Sequence, residues 1–184
     1  MLSQYFTDFY NNWSRKAVAI QGNELHNIYD KYITLFIIYN CLYNQTREHL
    51  VLTGQLVPRQ NLDNQNATTL VIQLLGDANI IANFTAKGND KDIAEIIDVI
   101  DREVFHIKLK NGQSQRKEDL KILSNLRSAN SSEKALGVLQ VLYYVRCNLF
   151  HGHKNYVEYQ RMLVEPLINI LATLNTQLYA ELIK

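Results

Sequence analysis

Residues 138–153, VLQVLYYVRCNLFHGH, contain an apolar run that leads directly into a short polar cluster. Such a run is typical of a mostly buried helix. Gly152 stands where this helix is expected to stop, because glycine readily adopts the left-handed backbone that follows many last turns. The stretch therefore predicts a core helix that brings Arg146, Asn148 and His151 close to its end.

The helical period extends along most of the chain. Apolar residues recur at spacings of three and four rather than two, and the 184 residues include only two prolines and seven glycines. Helical segments are expected at residues 3–20, 25–43, 90–105 and 116–128, in a motif helix with Ser132 as its N-cap, in a last segment from Tyr156 to Leu178, and less clearly at 70–81 around Gly76. Pro166 should kink the last helix or begin its second half. The pattern predicts an all-α bundle of about five to seven helices.

Residues 106–115 interrupt the helical pattern. Apolar and polar side chains alternate briefly from His106 to Lys110 and then reach Asn111 and Gly112, a pair that is common in two-residue hairpin turns. Two structures compete here, a small hairpin and an irregular loop that continues through Gln115. We expect the irregular loop.

Length and charge limit the class of protein. A chain of 184 residues is most simply one domain, residues 1–184, and it is long enough to bury a core without disulfides or metals. It has 19 basic and 18 acidic residues and a net charge of +1, so it lacks the broad positive field of proteins that coat nucleic acid by charge alone. Any RNA binding is therefore expected at a local site.

The cysteines and the hydropathy pattern indicate a compartment. Cys41 and Cys147 both fall in predicted apolar helices, where a free thiol usually behaves as a small buried hydrophobe. Neither a leader peptide nor an apolar stretch of about 20 residues is expected. We therefore expect a cytoplasmic protein with no membrane association.

The polar cluster at the end of the motif helix contains the groups needed to cleave RNA without a metal. Arg146 keeps its charge at any working pH and is expected to stabilise the five-coordinate phosphate, whereas His151 titrates near neutrality. His151 would act as general base or acid on the ribose 2′-hydroxyl or the leaving oxygen. Asn148 would orient the histidine or a phosphate oxygen through its amide, and His153 and Lys154 would bind the substrate backbone.

Helical geometry separates these side chains. Asn148 and His151 are three residues apart and share a face, whereas Arg146 and His151 are five apart and diverge by about 140°. A two-fold dimer, in which the motif helices of two subunits face each other, would let the arginine of one copy meet the histidine of the other. The sequence therefore predicts a homodimer.

The phrase YYVRCNLFHGHK, residues 143–154, resembles the HEPN family of small all-α domains, whose signature is an Arg-x4-6-His motif near the end of a core helix. More weakly, FIIYNCLYNQ, residues 36–45, is similar to the aromatic and asparagine-containing second helix of that family. In this chain Cys147 stands directly after the arginine, where the family commonly has a polar residue, and Asn148 follows one step later.

The resemblance implies a HEPN-like helical bundle and a metal-independent endoribonuclease that uses no cofactor. Ribonucleases of this family build their cleft at a dimer interface and resemble prokaryotic toxins and phage-defence or stress effectors. The implied partners are a second copy of the chain, an RNA substrate, and an antitoxin such as a small nucleotidyltransferase.

Other interpretations of the same residues stay open. Arg146 would pair with a carboxylate such as Glu158 or Glu165, and His151 would cap the carbonyls of a helix end. The chain would then be a non-catalytic HEPN-like module that binds a nucleotide, an RNA or a protein partner. Asn40 is expected to be a satisfied packing residue, and the basic side chains of residues 116–127 are expected to form an ordinary solvated face.

Overall fold

A computed structural model describes residues 4–57, 62–150 and 157–184, and it confirms the all-α class. Its helices are α1 (Gln4–Ala19), α2 (Leu25–Leu52), α3 (Asp63–Gln65), α4 (Val71–Leu75), α5 (Asp77–Ala86), α6 (Asp90–Asp101), α7 (Arg116–Arg127), α8 (Ser131–Phe150) and α9 (Arg161–Leu182). A π-helical turn, Asn66–Leu70, joins α3 to α4, and a 3-10 turn, Glu158–Gln160, precedes α9.

The described residues contain eight helical segments if α3, the π-helical turn and α4 are counted as one. This is one more than the predicted five to seven, because Gly76 ends α4 and begins α5. Its φ of +79° is a backbone conformation that breaks a helix and that glycine adopts without strain.

The core lies between the long helices α2, α8 and α9. Helix α2 packs against α1 and α9, and α8 packs against α5 and α7. The buried side chains of these helices belong to one hydrophobic cluster. Helix α2 runs nine residues past the predicted end at Tyr43, because Thr46 and Leu50 continue its buried face at spacings of three and four. None of the helices in the described ranges is both long and apolar enough to cross a bilayer.

The last helix differs in its start from the predicted segment. Helix α9 begins at Arg161, and Tyr156, where the prediction began, lies outside the described residues. Pro166 is the sixth residue of α9 and is buried, so it lies in the second turn of the helix and does not begin its second half.

The expected irregular loop at 106–115 is wrong, because a small hairpin forms there. Strands β1 (Leu109–Lys110) and β2 (Gln113–Ser114) pair antiparallel, with Leu109 opposite Ser114. The turn residues Asn111 and Gly112 have φ angles of +52° and +76°, and asparagine and glycine are the residues that tolerate this conformation best. The Asn-Gly pair, which is common in hairpin turns, therefore predicted this segment correctly.

The predicted N-cap of the motif helix is also wrong. Helix α8 begins at Ser131, and the Oδ1 atom of Asn130 accepts hydrogen bonds from the backbone N–H groups of Ser132, at 2.8 Å, and Glu133, at 3.3 Å. Asn130 therefore caps the helix. Asparagine and serine are both good N-cap residues, so the sequence alone does not show at which of them the helix begins.

Helices α7 and α8 approach closely at Gly137. A Cβ atom on this glycine would lie 3.0 Å from the backbone nitrogen of Leu126 and 3.0 Å from Cβ of Asn125. The missing side chain lets α7 approach the second turn of α8 closely. Gly137 is nine residues before Arg146, so this close contact lies in the first half of the motif helix.

Candidate functional site

Two of the five predicted site residues lie in the part of the chain that the structure describes. Arg146 and Asn148 are in the last turns of α8, whereas His151, His153 and Lys154 fall outside the described residues. Gly152, the predicted stop, also falls outside them. The geometry of the site is therefore built from Arg146 and Asn148 outward.

The Arg146 guanidinium lies between α2 and the start of α3. Its central carbon is 5.4 Å from the centre of the Phe36 ring, which is within the range of a cation–π contact. Nη1 lies 3.9 Å from Oδ2 of Asp63 and 3.9 Å from Sγ of Cys147. Only 22% of the side chain is exposed. The end of α8 thus holds a positive charge that is largely withdrawn from water.

The surroundings of Arg146 favour its charged form. Burial of the guanidinium opposes the charge, but contacts with the Cys147 thiol, Tyr43 and Asp63 outweigh it, so the pKa of Arg146 lies above its usual value. This arginine therefore stays protonated at every pH at which the protein is folded.

The predicted alternative partners of Arg146, Glu158 and Glu165, are wrong. Both carboxylates bind Arg161 instead, at 2.5 Å and 3.0 Å from its nitrogen atoms. Arg161 also donates a hydrogen bond of 2.6 Å to the carbonyl of Asn23. The two glutamates are three residues before and four residues after Arg161, which are spacings that bring helical side chains together. They therefore pair with Arg161, their neighbour in the sequence, and not with Arg146.

Asp63 joins Arg146 to a buried tyrosine, and sequence reasoning missed both residues. The Tyr43 hydroxyl donates a hydrogen bond of 2.9 Å to Oδ1 of Asp63. Burial raises the pKa of Tyr43, and the hydrogen bond to Asp63 raises it further. Asp63 is the first residue of α3, and no periodic signal connects it with α8.

The stretch 36–45 of α2 contributes its aromatic face to the site. Phe36 lies under the guanidinium, and Tyr43 binds Asp63. Asn40 does not join them through any contact seen in the described residues, since its Oδ1 accepts a hydrogen bond of 2.9 Å from Nδ2 of Asn44 in the same helix. The interpretation of Asn40 as a satisfied helix residue fits this contact.

Asn148 points to the other side of α8. Its Nδ2 donates a hydrogen bond of 2.8 Å to the carbonyl of Ile107, and only 4% of the residue is exposed. Side chains two residues apart on an α-helix point about 160° away from each other, so those of Arg146 and Asn148 lie on nearly opposite sides of α8. The structure therefore does not bring them together, and Asn148 ties the segment before the hairpin to α8. Its predicted role in orienting a histidine or a phosphate stays a prediction.

Beside that tie lies a histidine–carboxylate pair that sequence reasoning also missed. Nδ1 of His106 is 3.5 Å from Oδ2 of Asp119, whose side chain is wholly buried, whereas 32% of the His106 side chain is exposed. Oδ1 of Asp119 accepts a hydrogen bond of 2.7 Å from the Lys108 N–H. Burial nevertheless raises the pKa of Asp119 above its usual value. The alternation at 105–108 was the only signal, since it places His106 between buried Phe105 and Ile107.

Three of the four basic side chains of α7 have acidic neighbours. Arg116 lies 3.1 Å from Glu103, Lys121 lies 2.8 Å from Glu118, and Arg127 lies 2.6 Å from Asp101. These pairs favour the interpretation of residues 116–127 as an ordinary solvated face.

Neither a metal-binding cluster in the described residues nor a related protein helps to assign the site. Within the described ranges, no group of three or more histidine, cysteine, aspartate and glutamate side chains is arranged to hold a metal ion. Both Cys41 and Cys147 are free, half-buried thiols. Comparisons with protein-family models, with curated proteins and with solved structures gave no significant match to this chain.

Proposed function

We propose that this protein is a metal-independent endoribonuclease of the HEPN type, which acts in the cytoplasm as a toxin or as a defence or stress effector. The observation that carries the proposal is the environment of Arg146. Its guanidinium is largely withdrawn from water at the end of a core helix, stacked over Phe36, and five residues before His151. A positive charge in such a place interacts strongly with a developing negative charge.

Arg146 would bind the scissile phosphate and stabilise its five-coordinate transition state. The neighbouring carboxylate of Asp63 lies at 3.9 Å, which is the outer limit of an ion pair, and 48% of its side chain is exposed. A phosphate offers two oxygen atoms to the planar guanidinium and would form shorter, paired hydrogen bonds. Substrate would therefore displace Asp63 from the arginine.

His151 would exchange the proton with the ribose 2′-hydroxyl or the leaving 5′-oxygen. Attack by the 2′-oxygen on phosphorus breaks the bond to the 5′-oxygen and leaves a 2′,3′-cyclic phosphate and a 5′-hydroxyl. His153 and Lys154 would bind the flanking backbone. A homodimer would bring Arg146 of one copy to His151 of the other, and an antitoxin such as a small nucleotidyltransferase would restrain the activity.

The test is cleavage of total RNA by the purified protein in EDTA. Wild type should release fragments with 2′,3′-cyclic phosphate ends, and Arg146→Ala and His151→Ala should lose nearly all activity while keeping the melting temperature and the oligomeric state. Arg127→Ala is the matched control, because it removes an arginine whose partner is the exposed Asp101. Arg127→Ala should cleave as wild type does.

A folded wild-type protein that leaves RNA intact while still retaining RNA or a nucleotide would contradict the proposal. That result would favour the non-catalytic binding module, in which substitutions at Arg146 change affinity and not turnover.

A further inference from the structure

A groove between helices α1, α2 and α9 forms a cavity of about 340 Å³. This volume lies within the range of small-molecule sites, roughly 300–1,000 Å³. Tyr10 bounds the groove on α1, and its ring stacks on that of Tyr179 in α9, with the ring centres 3.6 Å apart. None of the residues that line the groove contacts Arg146 in the described geometry, so a ligand here would be separate from the proposed nuclease site.

Small side chains keep the groove open, and apolar side chains form its walls. Ser14 and Ala17 of α1 and Ala172 of α9 line it, and none of these side chains is large enough to fill the space between the helices. Leu35 and Ile38 contribute an apolar surface from α2. An apolar chain that lies in this groove would be removed from water by three helices, which is favourable.

Lys31 is the only charged residue among the described residues that line the groove. It is half-buried, and no carboxylate of the described residues forms an ion pair with it. Glu165 lines a neighbouring hollow together with Lys31, but it is bound to Arg161 at 3.0 Å. A charge that is partly withdrawn from water is stabilised by an opposite charge. The groove is therefore suited to an anionic ligand.

The charge of Lys31 favours a carboxylate over a phosphate. One ammonium balances the single negative charge of a carboxylate, whereas a phosphate monoester carries about −1.5 to −2 at neutral pH. The apolar walls offer no second cation for the remaining charge. A ligand with an apolar chain and one carboxylate therefore matches the groove.

Asn175 gives the groove a second polar contact. Only 3% of the residue is exposed, and its Nδ2 donates a hydrogen bond of 2.9 Å to the Leu35 carbonyl. Its Oδ1 is also buried, and no described residue donates a hydrogen bond to it. A buried acceptor without a donor is unfavourable, and most such groups in folded proteins have a partner. Because both Asn175 and Leu35 line the groove, a hydroxyl group of the ligand would supply the missing donor.

We propose that the groove binds an amphipathic hydroxy acid, a molecule with an apolar chain, one carboxylate and a hydroxyl group close to that carboxylate. The carboxylate pairs with Lys31, the hydroxyl donates to Oδ1 of Asn175, and the chain lies against Ile38 and Tyr10. Lys31 and Leu35 are one turn apart in α2, about 6 Å, so the hydroxyl belongs near the carboxylate end of the ligand. This binding goes beyond the proposed function and does not depend on it.

The first test measures ligand preference by isothermal titration calorimetry with the purified protein. The probes are β-hydroxyoctanoate, octanoate and octanol. β-Hydroxyoctanoate should bind most tightly, and octanoate about tenfold more weakly, because it lacks the donor for Asn175. Octanol should bind more weakly than either acid, because it has no charge for Lys31. Equal affinity for octanol and octanoate, or no saturable binding of any probe, would overturn the proposal.

Substitutions at Lys31 test the charge. Lys31→Met keeps the apolar stem but loses the ammonium, so it should weaken the binding of both acids by about tenfold or more. Lys31→Arg keeps the charge and should retain binding. Lys87→Met is the matched control, because Lys87 is an exposed lysine just after α5, and it should bind as wild type does. Undiminished binding of octanoate by Lys31→Met would contradict the pairing.

Asn175→Leu tests the hydroxyl contact. This variant should bind octanoate as wild type does and should lose the preference for β-hydroxyoctanoate. The substitution also removes the hydrogen bond to the Leu35 carbonyl, so the melting temperature is measured beside the affinity. If the variant does not fold, the comparison of the two acids on wild type decides, and equal affinity would show that no hydroxyl is recognised.

Ala172→Phe tests the place of binding. Ala172 is exposed on α9 and lines the groove, so a large side chain there would fill the groove without entering the core. Ala172→Phe should abolish binding of both acids while the melting temperature stays that of wild type. Ala94→Phe, at an exposed alanine in α6, is the matched control and should bind normally. Unchanged binding by a folded Ala172→Phe would place the ligand elsewhere and overturn the proposal.

Discussion

The Tyr43 hydroxyl donates a hydrogen bond of 2.9 Å to one oxygen of the Asp63 carboxylate, whose other oxygen lies 3.9 Å from Arg146. The tyrosine is buried in α2, so the acidic side chain is held at the guanidinium from below while nearly half of it remains exposed. A carboxylate in this position resembles the phosphate that the proposed reaction requires. We therefore expect Asp63 to compete with the substrate phosphate for Arg146.

Asp63→Asn should strengthen the binding of non-cleavable RNA. The amide still accepts from Tyr43 but no longer competes for the positive charge of Arg146. Stability should change by no more than about 1 kcal/mol, because the ion pair is long and half-exposed. Fluorescence anisotropy at fixed salt gives the Kd. Asp101→Asn, at the exposed pair with Arg127, is the control and should leave the Kd unchanged. Weaker binding by Asp63→Asn would mean that the carboxylate orients the arginine and does not compete with substrate.

Asn148→Ala should destabilise the protein by about 1–3 kcal/mol, because it leaves the buried Ile107 carbonyl without its donor. Urea unfolding measures the change. Asn40→Ala is the comparison, since the contact of its side chain seen in the described residues is to Asn44 in the same helix, and its loss should cost no more than about 0.5 kcal/mol. Equal effects of the two substitutions would argue against Asn148 as the tie between α8 and the segment before the hairpin.

Asn130→Ala should cost about 0.5–2 kcal/mol of stability, the usual value for the loss of an N-cap. Its side chain accepts hydrogen bonds from two N–H groups at the start of α8. Ser132→Ala, at the position that the sequence favoured, should have little effect, because Ser132 already lies inside the helix. Thermal unfolding of both variants decides the assignment, and a larger loss for Ser132→Ala would restore the predicted cap.

The helices were predictable because their signal is local. Buried residues of α2 and α6 recur at three and four in the sequence, so the segments at 25–43 and 90–105 were predicted without tertiary information, although α2 continues to Leu52 and α6 already ends at Asp101. The irregular loop was preferred to the hairpin, although Asn111 and Gly112 signal a hairpin turn, because two strands of two residues each show almost no alternation. What holds it is tertiary, namely buried Ile107 and the contact from Lys108 to Asp119.

The site was predictable only in part, because its contacts join residues that are distant in the sequence. Arg146 was identified from the motif, and it lies at the end of a core helix. Asp63 is 83 positions away from it in the chain, and Asp119 is 13 positions from His106, so neither pair leaves a periodic trace. Asn148 has the right chemistry for a site residue, yet the direction of its side chain depends on how α8 packs.

The last prediction concerns the pH dependence of stability at Asp119. Burial raises the pKa of this carboxyl in the folded state above its unfolded value, so the folded protein binds the proton more tightly. The stabilisation from that proton is fully present below the unfolded pKa, close to 4, and is lost as the pH rises through the folded pKa. Asp119→Asn cannot lose a proton, so the free energy of unfolding of wild type should fall relative to this variant over that range. At pH 7 the variant should be at least as stable as wild type.

Asp119→Ala also removes the acceptor for the Lys108 N–H and should be less stable than Asp119→Asn by about 1–3 kcal/mol. Urea unfolding of the three proteins from pH 4 to pH 7 measures both effects. A wild type that gains stability over Asp119→Asn as the pH rises would mean that the attraction to His106 exceeds the cost of burial, and that the pair stabilises the fold.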